Sequence, residues 1–130
     1  MNSVVIINVG VAFVLFLLCV IPSLLLAQRK NAELFARDPG AMPYAWGFFL
    51  GYSGIFVGAL AILAGLALIL AGFYRDWFPI ALAYAAATGI ASYGVLTRRR
   101  WGWVLHIPLS LNMGFWVFNS AYVFNRWREL

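Results

Sequence analysis

The apolar positions of this chain run in long unbroken tracts, with neither the one-face stripe of a soluble helix nor the alternation of a half-buried strand. Residues 1–28, 39–74, 77–97 and 101–125 contain no Asp, Glu, Lys or Arg, and these tracts are 28, 36, 21 and 25 residues long. A helix that crosses the hydrocarbon needs about 20 residues. In lipid the backbone must satisfy itself within a helix or a closed barrel, and the missing period-two alternation excludes the barrel. The pattern therefore predicts an all-α integral membrane protein, a four-helix bundle with short loops. Its four transmembrane helices fall at about residues 4–27, 44–73, 78–97 and 101–125, in one domain covering residues 1–130.

Small residues refine this picture. In the second span Gly47, Gly51, Gly54, Gly58, Ala61 and Gly65 recur at alternating spacings of four and three. Close approach through such residues is a main source of helix association in lipid, and the 3.5-residue period predicts a left-handed crossing. The third span answers with Ala81, Ala85, Thr88 and Ser92. Because residues 74–77 make a short connection, spans two and three are expected as an antiparallel hairpin with their small faces together. Pro22 and Pro108 each remove one backbone hydrogen bond, and Pro108 is expected to bend the fourth span. Residues 31–37 are expected as a short surface helix carrying Leu34 and Phe35 toward lipid, ended by Asp38-Pro39-Gly40.

Composition agrees: 65% of the 130 residues are apolar and 10% charged, against roughly 45–50% and 25% in soluble domains. A body this small has no interior large enough for such an excess. The net charge of +5 comes from loop residues, with no basic-aromatic face of the kind that binds nucleic acid. On a four-span topology, loops one and three hold Arg29, Lys30, Arg37, Arg98, Arg99 and Arg100, and the other side holds Arg75, Arg126 and Arg128. The positive-inside rule then puts loops one and three in the cytoplasm and both termini outside, in a membrane expected to be a bacterial inner membrane. The first tract lacks a basic start and a small-residue cleavage site, so it is expected to be a span and not a signal peptide. Tyr44, Trp46, Tyr74, Trp77, Trp101, Trp103, Tyr122 and Trp127 lie at tract ends, where an interfacial aromatic belt is expected.

Candidate chemistry is sparse. No span carries an ionisable carboxylate, Lys or Arg, which disfavours proton-coupled transport. No nucleophile–base set, phosphate loop or metal motif is present, so neither enzymatic activity, a metal nor a cofactor is expected. Cys19 reads as a small core residue. His106 is the one histidine, and depth matching groups it with Tyr93, Tyr52, Ser92, Ser23 and Ser110 in a polar layer that could hold a quinone head group, a lipid head group or a water. Asn8, Asn112 and Asn119 read as interhelical polar contacts, with Asn8 and Asn119 paired between spans one and four. Arg98, Arg99 and Arg100, followed by Trp101 and Trp103, suit anionic lipid head groups.

Elimination leaves a non-enzymatic accessory or structural subunit that packs with its own copies or with other membrane subunits, Phe115, Trp116 and Phe118 forming a bulky ridge. Two alternatives stand beside it. One is a small dimeric transporter or channel for a neutral solute, with a path through His106, Asn112 and Asn119. The other is a quinone- or haem-binding subunit using His106.

Overall fold

The computed structural model describes the backbone of residues 3–130 and the side chains of residues 10–130. Five helices account for most of it: α1 (Ser3–Arg37), α2 (Ala45–Leu70), α3 (Phe78–Leu96), α4 (Arg100–Leu109) and α5 (Met113–Phe124), with no strand among the described residues. Three of the five, α1, α2 and α3, are long and apolar enough to cross a membrane.

α1 runs through Pro22, and the Ser23 hydroxyl donates to the Cys19 carbonyl within the same helix. It also continues past the end of its apolar tract. Arg29 Nε and Lys30 Nζ both reach Glu33, at 3.3 and 2.8 Å, one helical turn on, a spacing that supports helix at the polar end. The expected surface helix is the last part of α1, and Leu34 packs against the core instead of facing lipid. Past Arg37 the Asp38 carboxylate takes the Gly40 N–H at 3.1 Å, an Asx turn. Asn31 Oδ1 then accepts the Tyr44 N–H at 2.8 Å and ties the loop back to α1.

α2 and α3 lie antiparallel. Gly51 sits against Leu96, Gly54 against Ser92, Gly58 against Ala85 and Gly89, and Gly65 against Leu82. A Cβ at Gly51 would come within 2.6 Å of Leu96 Cβ, and one at Gly65 within 2.8 Å of Leu82. Ala61 and Ala81, expected on this seam, are exposed instead. Near the α2–α3 turn the contact is made by Gly65 and Leu82, and Leu82 lies one position, about 100°, around the helix from Ala81. Thr88 is half-buried and bonds to Tyr84 O in its own helix. Gly47 is covered by the ring of Tyr44, not by α3. α2 ends in a Schellman turn: Gly72, at φ +83°, donates to Ile69 O and Phe73 donates to Leu68 O.

The same motif ends α3, with Arg98 at φ 56° donating to Val95 O and Arg99 donating to Gly94 O. An arginine takes the left-handed place that glycine usually fills, at a cost of about 1–2 kcal/mol. α4 then doubles back along α3. The backbones touch at Gly94 and Gly102, where a Cβ on either residue would overlap the other helix. Further along, the Tyr84 hydroxyl donates to Leu109 O.

At that point the helix stops, and here the four-span expectation is corrected. Ser110 caps α4, Leu111 adopts φ 48°, and the Asn112 side chain accepts the Phe115 N–H at 3.2 Å to start α5. α5 returns toward the end from which α4 came. Asn119 meets Trp46 at the start of α2, Arg126 Nε donates to Pro43 O, and Arg98 bonds Glu129 O. The fourth apolar tract is a helical hairpin that doubles back toward the end from which it starts. Ten residues of α4 reach only about 15 Å, half of the roughly 30 Å hydrocarbon layer. Pro108 and the Asn112 cap together interrupt the tract in its middle, so the expected bend is a reversal.

Two further expectations fall with it. Among the described residues α1 packs on α2 and not on α4, while α5 folds back so that Asn119, Phe115 and Phe118 meet Trp46 at the start of α2. The start of α1 and the end of α5 also lie at opposite ends of the helix axes, because α1 and α2 run antiparallel, with Ala12 and Leu15 sharing a groove with Val57 and Leu60. The buried core of Ala27, Tyr44, Phe48, Val95, Trp103 and Val123 gathers at the end that holds the α3–α4 turn and the C-terminus.

Candidate functional site

The reversal brings eight of the nine basic residues to one end: Arg29, Lys30, Arg37, Arg98, Arg99, Arg100, Arg126 and Arg128, leaving only Arg75 at the other. Under this cationic rim lies an aromatic cluster. Tyr44 is fully buried, edge-on to Phe48 and Trp103 at centroid distances of 5.0 and 6.3 Å. Trp103 Nε1 donates to the Tyr44 hydroxyl at 2.7 Å, and that hydroxyl donates to Val95 O at 2.8 Å, joining α4, the start of α2 and the end of α3. Burial pushes the Tyr44 phenol well above its ordinary pKa, with the Trp103 hydrogen bond pulling the other way, so it stays a neutral donor. The guanidinium of Arg98 lies 5.5 Å from the Tyr44 ring centre and that of Arg126 lies 4.0 Å from the centre of Tyr122. Such contacts add about 0.5–1 kcal/mol each at exposed sites and more when desolvated.

The residues expected at lipid head groups divide. Arg99, Arg100 and Trp101 are exposed, with Arg100 stacked over Trp127. Arg98 turns inward to Glu129, 3.6 Å from its carboxylate, and its Nε is buried with no partner among the described residues. Trp103 is wholly buried and holds Tyr44, so it is a core residue and not part of the interfacial belt. Tyr44 is corrected in the same way. Both stand at tract ends, where a buried anchor and a belt residue have the same sequence signature.

The expected polar layer is brought together only in part. Ser92 and His106 are buried on either side of Gly54, and Ser92 Oγ and His106 Nδ1 have no hydrogen-bond partner among the described residues. Tyr93 is 57% exposed on another face of α3, one residue and about 100° around from Ser92. Tyr52 stacks on Phe56, Ser110 bonds Ile107 O at the reversal, and Ser23 bonds within α1. Depth matching requires a fourth continuous helix, and the reversal at residues 110–113 interrupts it.

The asparagines also separate. Asn112 caps α5 and is exposed. Asn119 is buried and accepts from Trp46 Nε1 at 2.9 Å, a partner on α2. The side chain of Asn8 lies outside the described residues. No group of three or more His, Cys, Asp or Glu side chains that could hold a metal occurs among the described residues. Sequence reasoning missed the Gly94–Gly102 contact; the available signal was a pair of glycines flanking a three-residue Arg turn.

Asn119 offers a test of which partner matters. Trp46→Phe leaves the whole buried amide without a partner and should cost about 1–3 kcal/mol. Asn119→Leu removes the amide along with its unpaired Nδ2 and should cost less. Thermal unfolding in detergent should rank wild type and Asn119→Leu above Trp46→Phe.

Comparison with known families, curated proteins and solved structures finds no match. The fold therefore defines a class and no more: an all-helical protein with three helices long and apolar enough to cross a membrane, and a helical hairpin packed at one end.

Proposed function

We propose that this is a non-enzymatic membrane protein, an accessory subunit completed by another polypeptide, with its cationic end in the cytoplasm. The observation that carries this reading is the exposed reversal between α4 and α5. Leu111 and Met113 are 75% and 78% exposed, and among the described residues neither Leu111 nor Asn112 donates its backbone N–H to another backbone group. α4 runs beside α3 from Gly94 to Tyr84, so the reversal sits about 15 Å from the cationic end, near the bilayer centre. Irregular backbone at that depth is tolerated where protein or a watery cavity covers it, because each unsatisfied group in hydrocarbon costs several kcal/mol. A second chain against residues 110–113 supplies that cover.

A groove of about 590 Å³ beside the hairpin supports the same reading. Leu15, Phe16, Phe49, Val57 and Phe115 line it, and α1 and α5, which flank it, do not pack on each other. The protein carrying Cys19→Ala and Leu111→Cys should cross-link in native membranes to a second copy or to another membrane subunit. The same chain with a cysteine at Leu63, on the lipid-facing side of α2, should not. No cross-link from Leu111→Cys, together with a monomer free of co-purifying chains in mild detergent, would overturn the proposal.

A further inference from the structure

A second cleft, of about 370 Å³, opens where α1 leaves its apolar tract, between that polar end, the start of α2 and the end of α3. We propose that it binds one anionic phospholipid, with the phosphate on Arg37 and Lys30 and the first methylenes of the acyl chains on Leu34, Phe48 and Leu96. Its volume is within the range of specific small-molecule sites. The rim brings together Lys30, Arg37 and Arg98 with one carboxylate, Glu33, which is already held by Arg29 and Lys30. Arg37 makes no ion pair among the described residues.

The chemistry of the walls selects the ligand. A neutral lipid leaves Arg37 without a counter-charge, and a free anion leaves the apolar floor without a partner. An anionic amphiphile satisfies both. The cleft also lies at the right level, since Gln28 ends one charge-free tract and Tyr44 stands at the foot of α2, the depth of the head groups. The Arg98 side chain is held in place by Glu129 and Tyr44, so one wall of the cleft is formed before any lipid arrives, which lowers the ordering cost of binding.

This inference rests on insertion in a membrane, as proposed above, and not on the presence of a partner subunit. It is tested on the full chain purified alone in neutral detergent, by native mass spectrometry with phosphatidylglycerol and phosphatidylcholine as probes. The expected result is one phosphatidylglycerol per chain, bound at least ten-fold more tightly than phosphatidylcholine. Arg37→Gln should weaken it about five-fold, the effect of one basic residue near an anionic surface, and Arg75→Gln should leave it unchanged. Leu34→Gln should weaken it without altering the charge of the site, and millimolar inorganic phosphate should not displace the lipid. Equal binding of the two lipids, equal effects of Arg37→Gln and Arg75→Gln, or displacement by inorganic phosphate would each overturn the proposal. Arg37 is exposed at a helix end, so loss of fold does not confuse the result. A chain that proves to need no partner protein leaves the lipid result standing.

Discussion

In a chain with Cys19 replaced by Ala, a cysteine at Arg128 is expected to react with an impermeant maleimide from the same face of the membrane as one at Arg99. One at Arg75 should react only from the other face. The effect is all-or-none, because a hairpin and a crossing place the C-terminus on opposite sides. The hairpin geometry rests on three contacts far apart in sequence: Arg126 to Pro43 O at 3.1 Å, Arg98 to Glu129 O at 3.1 Å, and Trp46 to Asn119 at 2.9 Å. The charges agree with it. Four crossings divide the basic residues six to three, whereas three crossings and a hairpin divide them eight to one. That is the sharper loop bias, and loop bias is what orients membrane proteins. On the proposed orientation, with the cationic end in the cytoplasm, the N-terminal end of α1 would face outward and the C-terminus inward. Labelling of Arg128→Cys together with Arg75→Cys would restore the fourth crossing and remove the hairpin.

What the sequence made legible follows from how each feature is written. The charge-free tracts fix where apolar helices can lie, because hydrocarbon rejects charge whatever the fold does; α2 and α3 fall within theirs, and α1 fills the first tract before running past its end. The spacing of glycines along α2 marks a face that meets α3 at Gly51, Gly54, Gly58 and Gly65, because small residues act through local backbone approach. The reversal was not legible in the same way. A proline in a span bends or breaks it according to what can satisfy the freed groups. Here the partners are Tyr84 from α3 for the Leu109 carbonyl and the Asn112 side chain for the first turn of α5. One of those partners is 25 residues away, and its placement depends on the Gly94–Gly102 contact. Counting the tract as a crossing reverses the depths along its second half, and Asn119 sits beside Trp46 at the cationic end.

Gly102→Ala should be the most damaging of the conservative substitutions, costing about 3 kcal/mol, the upper part of the usual range for overpacking. Its Cβ would overlap the Gly94 carbonyl carbon and the Val95 nitrogen, and these are backbone atoms of a helix, with no rotamer to yield. α4 would have to lift from α3, which pulls Trp103 away from Tyr44 and breaks the bond on which the buried cluster closes. Gly54→Ala differs because its nearest obstacle is the Ser92 hydroxyl, and with that hydroxyl gone a methyl would still stand 2.8 Å from Ser92 Cβ. Ser92→Ala alone should be close to neutral, since the hydroxyl it removes is buried and unpaired. Combined with Gly54→Ala it should recover part, and not all, of the loss. Gly89→Ala is the control: nothing lies within 4 Å of its would-be Cβ, and alanine in a helix interior is favoured over glycine by about 1 kcal/mol. Thermal unfolding of the four single variants and the double variant in one detergent should place Gly89→Ala at or above wild type and Gly102→Ala lowest. A tolerated Gly102→Ala would mean that α4 does not lie on α3 at this distance, and the re-entrant hairpin would lose the contact that directs it.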